Sequence, residues 1–296
     1  MEITSLASSG LSSQAVSIVL QVFESMEEAV VIADSKRCIV MMNTAAEKLF
    51  GCRQADVVGL PTKVFYADEK DFEARGQNTF NPSVNQISDP YIVRYQSMDG
   101  HIFYGETIGG PIRDESLSEV YFFAIIRDVS KRVRSEQTMS RLHSITSSRM
   151  LEYERRIYEL LKLGCEHFGM LMGIVSCIEG QNYVVEAVYH PEDAVPEGAA
   201  FELENTYCVH TLDADGPTGF YHVAHSRIQY HPCYLNFGLE AYIGCPIEVD
   251  GERYGTINFS SPDPVEAFDG SDLNLVRLFA EWVGHEIARN RDLEVG

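Results

Sequence analysis

The sequence predicts an α+β chain of two domains, each a central antiparallel β-sheet flanked by helices, joined by a long helix. Three observations carry this prediction. Strand-like runs come in pairs across tight turn signals, at Asp34-Ser-Lys-Arg37, Asp99-Gly100, Gly180-Gln-Asn182 and Asp250-Gly251, and a short turn joins strands antiparallel. Stretches with apolar residues at helical spacing precede, interrupt and follow those pairs. Residues 130–164 are charged and carry no Gly or Pro before Gly164, so they divide 296 residues into two parts that can each form a core.

Residues 1–14 are Ser-rich and small, and are read as a tail. Val16, Val19, Leu20 and Phe23, followed by Met26, then form the stripe of a short amphipathic helix. Ala29–Ala33 reads as a buried strand and Cys38–Met42 as its hairpin partner. Asn43 or Thr44 can cap a helix Ala45–Phe50, with Gly51 as its stop. A second helix is expected over about Asp68–Arg75, with acidic residues at its N-terminus. Three strands follow over Tyr91–Gln96, Ile102–Thr107 and Glu119–Arg127.

The order of these elements, and four local words, resemble a PAS domain over residues 18–132. The words are Asn43-Thr-Ala-Ala-Glu-Lys-Leu-Phe-Gly51, Val58-Gly59 with Phe65 beyond it, Met98-Asp-Gly-His-Ile-Phe103, and the exit Ile126-Arg-Asp-Val-Ser-Lys131. The last is the most specific, since in PAS sensors it leads from the final strand into a signalling helix. Organisation is therefore expected as a tail 1–14, a PAS domain 15–132, a linking helix 133–160 and a second domain 150–296. On the linking helix, Leu142, Ile145, Tyr153, Ile157, Leu160 and Leu161 give a broken seam rather than sustained heptads.

In the second half a helix runs to Phe168, and Met172–Glu179 pairs with Tyr183–Val188. A segment rich in Cys, His and Tyr follows over 201–237, then the pair Ala241–Val249 and Tyr254–Ser260, and a last helix over about Asp269–Arg291. Leu273, Val276, Leu278, Phe279, Val283 and Ile287 form the buried side of that helix. This arrangement resembles a GAF domain over about residues 150–291. The words that carry the likeness are Phe201-Glu-Leu-Glu-Asn-Thr-Tyr-Cys208, the run His231–Gly244, and Gly251-Glu-Arg-Tyr-Gly-Thr-Ile-Asn-Phe-Ser-Ser261. The resemblance implies a ligand cavity on one side of each sheet.

Charge narrows the function classes. The net charge is −21, and residues 165–296 alone hold five basic and 22 acidic side chains. Such a field repels phosphate backbones and anionic headgroups, which argues against nucleic-acid or membrane binding. No window reaches the roughly 18 apolar residues of a membrane span, and the start lacks a secretory leader. Seven scattered cysteines without a C-x-x-C pair are read as reduced thiols, and the chain as cytoplasmic.

Enzyme words are missing: there is no G-x-x-x-x-G-K-[ST], G-x-S-x-G or H-E-x-x-H. The densest site-like cluster is Cys208 with His210, His222 with His225, and His231 with Cys233. Cys208, His231 and Cys233 are the candidate ligand or redox residues, because the GAF resemblance places their segments beside the cavity. Thiolate and imidazole suit zinc, iron or haem, but the spacing of a structural zinc site is absent, so no metal residues are assigned. A bilin is not expected, since Tyr230 rather than Cys precedes His231. Flavin of the light-sensor type is not expected either, because around Cys52-Arg53 the Asn, Phe and Leu of that word are missing. Phe65, Tyr66, Phe72 and Tyr91 are candidate linings of the PAS cavity.

These readings predict a non-catalytic sensory module of two-component type. A ligand, redox or gas signal in a PAS or GAF cavity would pass through a helix in a homodimer to an output domain or partner protein. An interaction scaffold without ligand is the alternative, and a GAF-type free methionine sulfoxide reductase the second.

Overall fold

The computed structural model describes residues 13–113, 119–148, 151–190 and 195–295. The expected tail lies, up to residue 12, outside them. The chain forms two units, Met1–Arg134 and Ser135–Gly296, both α+β as predicted.

In the first unit, α1 (Ser13–Ser25) precedes β1 (Ala29–Ala33) and β2 (Ile39–Met42). Then come α2 (Thr44–Phe50), α3 (Gln54–Val57), a 3-10 turn (Thr62–Phe65) and α4 (Glu69–Asn78). β3 (Tyr91–Gln96), β4 (Ile102–Ile112) and β5 (Tyr121–Asp128) complete an antiparallel sheet of order β2-β1-β5-β4-β3. Asn43 is the pivot of the first half. Its Oδ1 accepts from Val30 N at 2.9 Å and Ala46 N at 3.0 Å, so it caps α2 and braces β1. Its amide nitrogen donates to Phe23 O and Glu28 O, which ties α1 to the sheet. Gly51 ends α2 in the left-handed conformation at φ 65°, a cap glycine reaches without strain. Phe50 stacks on Phe65 at 4.0 Å between ring centroids, and Tyr95 and Phe103 close around them.

The linker departs from the single helix expected over 133–160. α5 (Ser130–Ser147) and α6 (Tyr153–Phe168) are separate helices, and residues 149–150 between them are not described. Their burial differs too. Of α5 only Thr138 and Leu142 are buried, whereas α6 buries a full stripe including Ile157, Leu160, Leu161 and Phe168. The charged seam read as one linker is thus a sparsely packed helix followed by a core helix of the second unit. Thr138 Oγ1 lies 2.9 Å from His167 Nδ1 and fixes α5 to α6 within that unit.

The second unit continues with β6 (Met172–Glu179), β7 (Asn182–Tyr189) and β8 (Ala200–Glu202). A 3-10 turn (Leu203–Asn205), α7 (Cys208–Ala214), β9 (Thr218–Phe220), a second 3-10 turn (Val223–His225) and α8 (Pro232–Phe237) form the irregular side. β10 (Ala241–Val249), β11 (Glu252–Ser261) and α9 (Gly270–Val295) close the unit. The antiparallel sheet has the order β8-β7-β6-β11-β10-β9. Asp250 and Gly251 both take positive φ, 54° and 82°, the primed turn that Asp-Gly favours. One core holds α6 and α9 against the sheet through Phe168, Phe259, Phe279 and Val283. A second, on the irregular side, gathers Ile174, Tyr183, Tyr207, Cys208, Cys233 and Tyr242.

Candidate functional site

The irregular side of the second unit forms a half-open cavity of about 500 Å³. Its walls are mainly apolar, from Met172, Ile174, Val195, Phe201, Phe237 and Leu239. The sheet floor adds Tyr183, Tyr242, Asn258 and Ser260, and the helical side adds Thr206, Tyr207, Cys208 and Cys233. That volume, apolar wall and small set of converging polar groups are the usual makeup of a small-molecule site.

Two of the three sequence-derived candidates therefore border one cavity. Cys208 sits on the first turn of α7, a helix of seven residues. Tyr242 Oη donates to its Sγ at 3.5 Å and Thr256 Oγ1 lies 3.3 Å away. Tyr242 Oη also lies 2.7 Å from Thr211 Oγ1, and Thr256 Oγ1 lies 3.0 Å from Ser176 Oγ. Asn258 donates from its amide nitrogen to Tyr183 Oη at 2.9 Å, leaving its carbonyl as an acceptor at the floor. A buried polar network of this kind keeps its geometry because each member would cost about 1–3 kcal/mol if left unpaired.

His231 does not line the cavity. It is the N-cap of α8, where Nδ1 accepts from Cys233 N at 3.2 Å and Pro232 takes the first helical position. Its ring packs on Tyr207 and, at 4.9 Å between centroids, on His210, whose Nε2 is buried without a hydrogen-bond partner. Burial, then the nearby His210, lower the His231 pKa.

The thiols are held in the neutral form. Burial raises the Cys208 pKa against the opposing hydrogen bonds from Thr256 and Tyr242. Burial pushes Cys233 up to about 12, with Cys208 adding to the rise. Both are free cysteines. A thiol becomes a nucleophile as thiolate, so these two sulfurs present polarizable, protonated surface to the cavity. Among the described residues no group of three or more His, Cys, Asp or Glu side chains is placed to hold a metal ion.

The first unit has a smaller cavity, of about 40 Å³, against the inner face of its sheet. Phe65 and Tyr66 line it, as the sequence suggested. Phe72 and Tyr91, also expected there, are not among its lining residues. The charged lining residue that sequence reasoning missed is Arg37. Its place in a polar turn signalled a solvated side chain, and only the packing of α4 across it reverses that.

Residues 27–131 match the model of the PAS domain family and residues 152–287 that of the GAF domain family. No curated protein sequence matches the chain. Among solved structures, a PAS domain from Colwellia psychrerythraea is 26% identical, covers 40% of this chain and 98% of its own, and has a TM-score of 0.36. A PAS domain of an HTR-like protein from Haloarcula marismortui is 21% identical, with coverage of 39% and 93% and a TM-score of 0.34. The chromophore-binding domain of an unusual bacteriophytochrome from R. palustris is 12% identical, with coverage of 90% and 94% and a TM-score of 0.46. The two family matches, in this order, make the chain a tandem PAS–GAF module, and both domain types are sensory. Among the described residues no helix is long and apolar enough to cross a membrane.

Proposed function

We propose that this tandem PAS–GAF module is a non-catalytic sensor whose GAF cavity takes a small, largely apolar molecule. The observation that carries the reading is the cavity of about 500 Å³ with an apolar wall and a hydrogen-bonded floor. Ligand contacts at Asn258, Cys208 and Tyr242 would reach the sheet directly, since Asn258 is on β11 and Tyr242 on β10. Occupancy then biases α6, which packs on the same sheet, and through Thr138 and His167 it biases α5. Ligand affinity that differs between two helix arrangements is the only free energy this transmission requires. The output is a further domain or a partner protein, reached from a homodimer.

The neutral thiols favour binding over redox chemistry at Cys208 and Cys233, and they oppose the reductase alternative. Native mass spectrometry of the intact chain should show a small-molecule adduct. Cys208→Trp, which fills the cavity, should remove that adduct, and an absorption spectrum from the near ultraviolet through the visible would class the molecule as coloured or colourless. A wild-type chain with no adduct, and no thermal shift from any member of a metabolite panel, would favour the scaffold reading instead.

A further inference from the structure

The PAS cavity contains a cation without a counter-charge. Arg37 follows Asp34-Ser35-Lys36 in the β1–β2 turn, which closes through Arg37 N to Asp34 O at 2.9 Å. Its backbone is left-handed at φ 63°, the position such a turn usually gives to glycine. Holding an L-residue there costs on the order of 1 kcal/mol, so a side chain kept there needs a reason in the surrounding structure.

The side chain turns inward. Nη1 donates to Phe72 O at 2.7 Å, and the guanidinium carbon lies 3.6 Å from the Phe72 ring centroid. Helix α4 crosses it at Gly76, where a Cβ would fall 2.4 Å from Nη1. Stacking satisfies the face of the guanidinium, but its N–H donors lie in its plane and need acceptors. Nη2 has none: it is buried without a hydrogen-bond partner. Arg37 makes no ion pair among the described residues. Burial lowers its pKa, which the Tyr66 hydroxyl partly offsets, and a guanidinium remains charged at neutral pH. Burial likewise raises the Tyr66 pKa and keeps that phenol a donor.

A half-buried, charged side chain with one buried, unpaired guanidinium nitrogen beside a cavity matches the requirements of an oxyanion. The rest of the cavity sets the occupant's size and its other end. At about 10–15 Å³ per water position, 40 Å³ holds roughly three or four water-sized groups, the outer atoms of a molecule with one further, central carbon. Val31, Ala33, Ala124 and Ile126 make its sheet side apolar, while Thr62, Tyr66 and Tyr95 are the hydroxyl-bearing residues of its lining besides Arg37. We infer that the PAS cavity binds a short-chain monocarboxylate of about four or five non-hydrogen atoms, its carboxylate on Arg37 and its alkyl end against the sheet. This site is independent of the GAF cavity.

Calorimetric titration of the intact chain tests it, using sodium acetate and sodium propionate at an ionic strength held constant with sodium chloride. Both acids should bind saturably, one per chain, and nitrate and citrate should not. Arg37→Gln should abolish binding. Arg37→Lys keeps the charge but loses the planar fork, and should weaken binding by about tenfold or more. Gly76→Ala, which displaces the guanidinium without changing charge, should weaken it as well. Cys208→Trp should leave it intact, so failure here and failure of the GAF reading are separable. The inference is overturned if neither acid binds, if nitrate binds as well as acetate, or if binding survives both Arg37→Gln and Gly76→Ala.

Discussion

Single residues in this chain act through the hydrogen-bonding state that burial imposes on them. Asn43 uses both ends of its amide to join α1, β1 and α2, so the sequence word that begins with it is a structural brace. His231 depends on one protonation state. Its Nδ1 accepts from Cys233 N, and an imidazolium has no lone pair to do so. Burial accordingly holds its pKa below the ordinary 6.5. In the unfolded chain His231 takes a proton as pH falls through about 6.5, while the folded chain resists until lower pH. The unfolded state then binds more protons, and stability falls with falling pH in that window. Denaturant midpoints from about pH 7.5 to about pH 5 should therefore drop more steeply for the wild type than for His231→Asn, whose side-chain oxygen can still cap α8. Parallel slopes would mean that His231 does not contribute to the pH dependence.

At the level of elements, close backbone approach decides how α9 sits on the sheet. A Cβ at Gly284 would lie 2.2 Å from Glu248 O on β10. Alanine is favoured over glycine in a helix interior by about 1 kcal/mol, but here the added methyl meets backbone that cannot rotate away. Gly284→Ala should destabilise the GAF domain by about 1–3 kcal/mol, a fall of several degrees in its thermal midpoint by calorimetry. A rise would show that α9 is free to shift. Such contacts lie beyond what periodicity displays, whereas strands and turns do not. The hairpins at Asp99-Gly100 and Asp250-Gly251, the Gly51 stop and the stripe of α9 were legible because each is a local rule. Helices α7 and α8 were not, since seven and six residues are too short to show a period. The Pro232 start and Gly238 stop of α8 were present in the sequence, but histidine is an uncommon cap and masked them. The candidate site was half legible for the same reason: Cys208 and Cys233 follow from the family resemblance, while Asn258 and Tyr242 become site residues only through strand register. Arg37 required knowing what packs over a turn.

For the molecule as a whole, the remaining question is where its unburied apolar surface goes. Helix α1 turns Val16, Leu20 and Phe23 partly inward, but Ile18, Val19 and Val22 remain 53%, 63% and 57% exposed. They fall within five residues on a helix anchored to the domain through Phe23 O and Glu24. Covering such a row stabilises by about 25 cal/mol per Å², and a second copy presents the same row for a parallel pairing. Against it stands the charge of −21 on each chain, a repulsion that salt screens within about 10 Å at 0.1 M. The two effects together predict a homodimer that tightens with added salt. Light scattering of the intact chain in moderate salt should give about twice 33.2 kDa, and paired Val19→Glu and Val22→Glu substitutions should return it to monomer with the fold unchanged by circular dichroism. A wild type that stays monomeric at concentrations on the order of tens of micromolar would remove transmission within a dimer and leave any signal to travel along a single chain.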